Sequence, residues 1–272
     1  ATKKSLLEGY LKEGKWVLWV YFVLSLGSMF TVTAAVTFVT AGMFNNLTGV
    51  TLDPAYVSGI ILIICVLILA VGKYSLLDSL LKMIGAVLLI STLVAFFGAL
   101  AKGGVTPVSD FIPKELMDRS SIIFVIALMG WMPTAVDLST WNSLWTIERM
   151  KQTRYAPTLK EVLFDFKFGY IVTAILALCF LTLGANVMYG TGIELSNNST
   201  VFSDQVVTMY TSALGNWAYL IIAVAAFSAM FSTTITVVDG FGRAMGETVR
   251  LLFLPKAKTK TTYNWLMLTV AI

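Results

Sequence analysis

Long apolar runs separated by short polar connections dominate this chain. The runs at 16–44, 56–71, 76–100, 122–145, 170–188 and 217–238 approach or exceed the roughly 20 apolar residues that cross a bilayer. A seventh begins at Trp265 and reaches Ile272. This pattern predicts an all-α polytopic membrane protein whose residues 1–272 form one transmembrane domain. The connections carry their own signals. Asp53-Pro54 supplies an N-cap and a proline at the first helical position of the second run. Ser75 with Asp78 resembles a capping box for the third, and Lys82 lies one turn on, where it can pair with Asp78 or snorkel to the interface. Gln152–Lys167 reads as a longer connection with a short helix starting at Pro157-Thr158. The segment Tyr189–Asn216 reads as an external loop, and Asn197-Asn198-Ser199-Thr200 within it holds two overlapping glycosylation sequons or a polar turn.

The fourth run is interrupted at its centre. Ile122-Ile123-Phe124-Val125-Ile126-Ala127-Leu128 leads into Met129-Gly130-Trp131-Met132-Pro133-Thr134, and the more polar Asp137–Ser143 follows. Pro133 cannot donate a backbone hydrogen bond and clashes with the preceding turn, so a helix kinks or breaks there; Gly130 loosens the same place. Freed backbone groups survive at membrane depth only against protein or a water-filled cavity. Paired half-helices near the midplane build ion and substrate sites in many secondary transporters. Met132 offers a thioether, which favours transition metals over calcium or magnesium, and Thr134 a hydroxyl. Met129 is a further thioether at the break. Asp137 lies three residues after Thr134, on nearly the same face, and an ionisable residue inside a span is a candidate for the pathway or for ion coupling. Each has a plainer reading: methionine fills apolar helices, a proline kink shapes a helix, and Asp137 can reach cytoplasmic water.

Composition and charge narrow the class. Hydrophobic residues make up 57% and charged residues 12%, about half the usual globular share. Lys and Arg gather in alternate connections: Lys3, Lys4, Lys12 and Lys15; Lys73; Arg149 to Lys167; and Arg243 to Lys260. By the positive-inside rule these are cytoplasmic and the intervening connections external. Loop orientation accounts for the net charge of +4 without a nucleic-acid partner. No signal-peptide pattern opens the chain, and from its start at Ala1 with a lysine-rich connection it is expected to be an internal piece of a longer protein. Cys65 and Cys179 fall inside apolar runs, as packing residues. The absence of histidine excludes histidine catalysis, ligation and proton relay within these residues.

A second polar stripe, Ser228, Ser232, Thr236 and Asp239, repeats at helical spacing in the sixth run, which Asp239-Gly240 is expected to close. It is read either as one wall of an aqueous vestibule, near Asp239, or as small residues that pack helices closely and hydrogen-bond between them. Thr33, Thr37 and Thr40 share one face of the first run, where packing is the reading. Gly240-Phe241-Gly242 has no phosphate-loop context.

Four segments together resemble the Nramp family of divalent metal transporters: Lys4–Tyr10 with Trp16-Val17-Leu18-Trp19; Gly130-Trp131-Met132-Pro133; Leu176–Phe180; and Ala229–Thr234 through Asp239-Gly240. The resemblance implies a LeuT-like bundle of two inverted five-helix repeats, of which the six runs are the third to eighth spans, and a metal site to which Met132 contributes. It also implies that an upstream span carries an Asp-Pro-Gly-Asn motif at that site. The chain departs from the family where Thr134 and Ala135 replace the His and Asn of Met-Pro-His-Asn. A second family histidine falls near Ser139, and the first run lacks the family's acids.

The leading expectation is a divalent-cation carrier working by alternating access in a bacterial plasma (inner) membrane, possessing no cofactor apart from the transported ion and with weak or absent proton coupling. Its expected partners are the divalent ion and the lipid bilayer. Asp137 and Asp239 are the remaining coupling candidates. The alternatives are a LeuT-like carrier of another small solute, such as an amino acid, and a non-transporting membrane scaffold.

Overall fold

A computed structural model describes residues 4–50, 52–71, 74–104, 108–109, 115, 117–131, 138–192, 195–196, 198–257 and 259–271; at 71, 74–84, 88, 131 and 213 it describes the backbone alone. Helices account for nearly all of them: α1 Leu6–Glu13, α2 Lys15–Thr48, α3 Pro54–Val71, α4 Tyr74–Lys102, α5 Arg119–Trp131, α6 Leu138–Thr153, α7 Leu159–Val187, α8 Ser199–Leu214, α9 Tyr219–Leu252 and α10 Thr259–Ala271. No strand occurs among the described residues. Among the described residues, four stretches are long and apolar enough to cross a membrane: Lys15–Thr48, Gly85–Lys102, Leu159–Val187 and Asn216–Leu252; Pro54–Ala70 and Arg119–Gly130 are shorter apolar helices.

Local chemistry sets several boundaries. Asp53 Oδ1 accepts from the Ala55 N–H at 2.9 Å, and Pro54 opens α3 as its spacing predicts. The start at Thr158 is a full capping box: its hydroxyl accepts from Glu161 N–H while Glu161 Oε2 accepts from Thr158 N–H at 2.7 Å. The helix it starts is not short. It runs unbroken from Leu159 to Val187, through nearly all of the fifth apolar run: no proline intervenes, and apolar surroundings favour continuous backbone pairing, which carries Gly169 and Gly184 inside the helix. Tyr155 donates to the same carboxylate at 2.8 Å, and that bond, then the carboxylate's charge, raises its phenol above the ordinary range.

Three other boundaries differ from the apolar pattern. α9 does not close at Asp239-Gly240 but continues to Leu252, and carries Arg243 and Arg250 as helical residues, not loop residues. α10 begins at Thr259, before Trp265. Within the expected external loop, Asn198 caps α8 by accepting from Thr200 and Val201 N–H groups at 3.0 and 3.2 Å. Buried Ser203, Val207, Tyr210 and Thr211 face inward at helical spacing. The Ser75–Asp78–Lys82 side chains lie outside the described residues, as does Asn197.

α9 is the hub. It contributes to three buried clusters: with α1, α2, α6 and α10 around Trp141 and Phe241; with α4, α7 and α8 around Leu183, Val207 and Ile222; and with α2 and α3 around Ala41, Ile61 and Cys65. Lipid is as apolar as leucine, so burial alone does not drive these contacts; close van der Waals fit and polar bonds do. α9 supplies both. A Cβ at Gly240 would overlap the Trp141 indole, while Gly242 and Gly246 lie 3.2 Å, measured from an ideal Cβ, from the Met267 and Tyr263 Cα atoms of α10. Thr33, Thr37 and Thr40 are buried as the packing reading expects, and the Thr40 and Thr234 hydroxyls join α2 to α9 at 2.8 Å.

Candidate functional site

The central break predicted in the fourth run falls largely outside the described residues. Helix is described up to Trp131 in α5 and again from Leu138 in α6. Met132, Pro133, Thr134 and Asp137 lie between, in the undescribed stretch. Met129 is on α5 and 73% exposed, and Gly130 beside it has nothing within 4 Å of an added Cβ. Every described side chain of α5 is exposed apart from half-buried Ser121. No group of three or more Cys, Asp or Glu side chains is gathered for a metal ion among the described residues.

The other predicted site residue, Asp239, is buried and saturated with donors. Its Oδ2 accepts from Trp145 Nε1 of α6 at 2.8 Å and from Arg243 Nε at 2.8 Å, while Oδ1 accepts from the Tyr263 hydroxyl of α10 at 2.7 Å. The Arg243 guanidinium stacks 4.8 Å over the Tyr263 ring centroid, a cation–π contact. Its Nη1 also approaches Glu148 Oε2 of α6 at 3.8 Å, and Lys151 pairs with the same oxygen at 3.3 Å. The spacing explains the geometry. Asp239 and Arg243 are i, i+4 on α9, and Trp145 and Glu148 are i, i+3 on α6, so each pair forms one ridge and the two ridges meet. Next to them Trp141 lies edge-on to Phe241 at 4.7 Å and to Trp145 at 5.8 Å, seated on Gly240.

Trp145, Glu148, Lys151, Arg243 and Tyr263 line a cavity of about 900 Å³ that also receives Glu8 from α1, Glu247 and Arg250 from α9 and Lys260 from α10. Arg250 and Glu247 form a two-pronged pair with Nε–Oε2 at 2.8 Å. Of the lysines and arginines expected on one membrane face, Arg149, Lys151, Arg243, Arg250 and Lys260 line this cavity. The rest of the predicted stripe makes local bonds: Ser232 donates to Ala229 O and Thr236 to Ser232 O. Sequence reasoning missed Trp145, Arg243 and Tyr263 as partners of Asp239, and Glu148 as a second partner of Arg243. The available signal was Gly242-x-x-x-Gly246, a small-residue spacing that brings a second helix close enough for Tyr263 to reach Asp239.

With this geometry in view, comparison with known proteins decides the family. The family model described as "Natural resistance-associated macrophage protein-like", Nramp, matches residues 1–272. The chain belongs to the Nramp family. It is 37% identical over 270 residues to "Uncharacterized protein PM0681" of Pasteurella multocida (strain Pm70), covering 98% of this chain and 62% of that protein. The chain thus spans less than two thirds of the length of the curated relative it matches. No solved structure matches it.

Proposed function

We propose that this Nramp protein is a secondary transporter of divalent metal cations working by alternating access, with a LeuT-like bundle and a metal site at the break between α5 and α6, in a bacterial plasma membrane. The observation that carries the reading is the family match across residues 1–272. Two features of the chain support it. Met-Pro at 132–133 interrupts an apolar run, which suits a midplane cation site with one soft ligand. A cavity of about 900 Å³ lined by Arg149, Arg243 and Arg250 with Glu148 and Glu247 adjoins α6 and α9, which suits an aqueous vestibule. Proton coupling is weak or absent in this reading: histidine is missing, α2 has no acid, and the Asp239 carboxylate already accepts from Trp145, Arg243 and Tyr263.

The test is metal uptake by the full-length protein in proteoliposomes. Mn²⁺ and Cd²⁺ are expected to enter, and Met132→Ala is expected to weaken their uptake more than that of Mg²⁺, because only the softer ions gain from sulfur. Equal loss for all three ions would remove Met132 from the ligand set. Absence of metal uptake by the wild type would overturn the reading itself. A pH-sensitive dye in the lumen is expected to record no metal-dependent acidification; acidification lost in Asp137→Asn would show that protons are coupled through that residue.

A further inference from the structure

We propose that Asp239 is the centre of a releasable clasp that pins α6, the second half of the interrupted run, to α9 and α10, and that its release sets the rate at which α6 moves. The carboxylate accepts one donor from each of three helices: Trp145 Nε1 of α6, Arg243 Nε of its own α9, and the Tyr263 hydroxyl of α10. Arg243 adds a second rung to α6 through Glu148 and a second contact to α10 over the Tyr263 ring.

Two features set this cluster apart from ordinary packing. First, its attachments differ in kind. α9 and α10 are held backbone to backbone at Gly242 and Gly246, an approach that no side-chain rotation loosens. α6 is held to α9 through side chains: the Trp145 and Glu148 bonds and the indole of Trp141 resting on Gly240. The α6 attachment is therefore the one that a change of rotamers can undo. Second, the cluster faces the cavity. Glu148 and Arg243 both line it, so each has water and the neighbouring Lys151 and Glu247 within the same space when the clasp opens. An ion pair in a dry interior is costly to separate, because each charge is left uncompensated. One at the edge of a wet cavity separates with much of that cost offset by solvation. α6 is also tied to its other neighbours: the Thr140 hydroxyl meets the Tyr21 hydroxyl of α2 at 2.7 Å, Ser143 Oγ accepts from the Leu6 N–H of α1 at 3.1 Å, and Trp141 is buried in the core. Trp145 and Tyr263 are positioning residues in this scheme, acting on α6 and not on the ion.

The clasp's part in transport rests on the metal-carrier reading; the clasp itself does not. The test uses the full-length protein with Cys65→Ala and Cys179→Ala and a reporter Leu144→Cys, a half-buried position of α6 at the cavity wall. Tyr263→Phe deletes one donor and keeps the ring face under Arg243; Trp145→Phe deletes the other and keeps a smaller aromatic ring beside Trp141. In the double variant, without metal, labelling of the reporter by a water-soluble maleimide is expected to accelerate about tenfold or more, the factor that one hydrogen bond to a charged group contributes to an opening equilibrium. An unchanged labelling rate would overturn the proposal. Should the double variant not fold, Trp145→Phe alone is used: it removes the Asp239 bond to α6 and leaves the Arg243–Glu148 rung, faster labelling than the wild type is expected, and an unchanged rate again overturns the proposal. In proteoliposomes the clasp further requires a raised maximal Mn²⁺ rate with unchanged KM, because no metal ligand has been touched; a raised KM with an unchanged maximal rate would assign these residues to binding instead. If the wild type carries no Mn²⁺, the carrier reading fails while the labelling result still decides the clasp.

Discussion

α5 and the middle of α9 are both apolar helices that carry glycine, yet the structure treats them in opposite ways. α5 has no buried side chain among its described residues, and Gly130 near its end has open space around it. In α9 the stretch from Thr234 to Thr248 is buried almost throughout, its glycines touch other helices, and its charges are paired inside the bundle. The difference teaches what apolar content means at membrane depth. Isoleucine and phenylalanine are equally comfortable against lipid or protein, so a run of them says that a helix is inside the membrane and nothing of its neighbours. Glycine at four-residue spacing and an acid four residues before an arginine do carry that information, because neither suits lipid.

The contrast is broken most sharply at its glycines. Gly240→Leu is expected to abolish folded yield, since the new side chain needs the space held by the fully buried Trp141 and overpacking of this kind exceeds about 4 kcal/mol. Gly130→Ala is expected to change thermal stability by less than about 1 kcal/mol, the size of a helix-propensity change. Size-exclusion profiles of the full-length variants after graded heating in detergent compare the two directly. A normal profile for Gly240→Leu would mean that α9 and α6 are not in contact in the membrane.

Next in size is the buried charge. Asp239→Ala leaves Arg243 without its partner and Trp145 and Tyr263 without their acceptor, and is expected to cost about 3–5 kcal/mol, at the lower end because Arg243 reaches the cavity. Met129→Ala on α5 removes a side chain of comparable length from an exposed position and is expected to stay within about 0.5 kcal/mol. Denaturant titrations in mixed micelles measure both; equal losses would show that α5 is packed by parts of the protein beyond this bundle.

The smallest effect tests the hydroxyl link between α2 and α9. Thr234→Val keeps the shape and removes the bond to Thr40, at a cost expected near 0.6 kcal/mol, the average for polar links between membrane helices. Phe124→Leu on α5 is the matched control, with no resolvable shift expected in the same thermal assay.

The sequence by itself determined much. The long apolar runs, the cap at Asp53-Pro54 and the threonine face of α2 are local patterns, and each is met in the structure by a helix, a bonded cap or a buried seam. They were legible because backbone pairing at membrane depth leaves a chain few choices. Family membership was legible too, in short motifs spread over the chain. Only the tertiary structure decided where α9 ends and what Asp239 does. Read alone, an acid followed by glycine looks like the end of a span, since an unpaired carboxylate belongs near water. Trp145 and Tyr263 lie 94 and 24 residues away in the chain, and no local pattern announces that they converge on it. Their donated hydrogen bonds, with Arg243, compensate the charge, so the helix carries it inside and continues to Leu252. The same physics explains α8: its polar inner residues Ser203 and Thr211 look like loop until α2, α4 and α9 surround them.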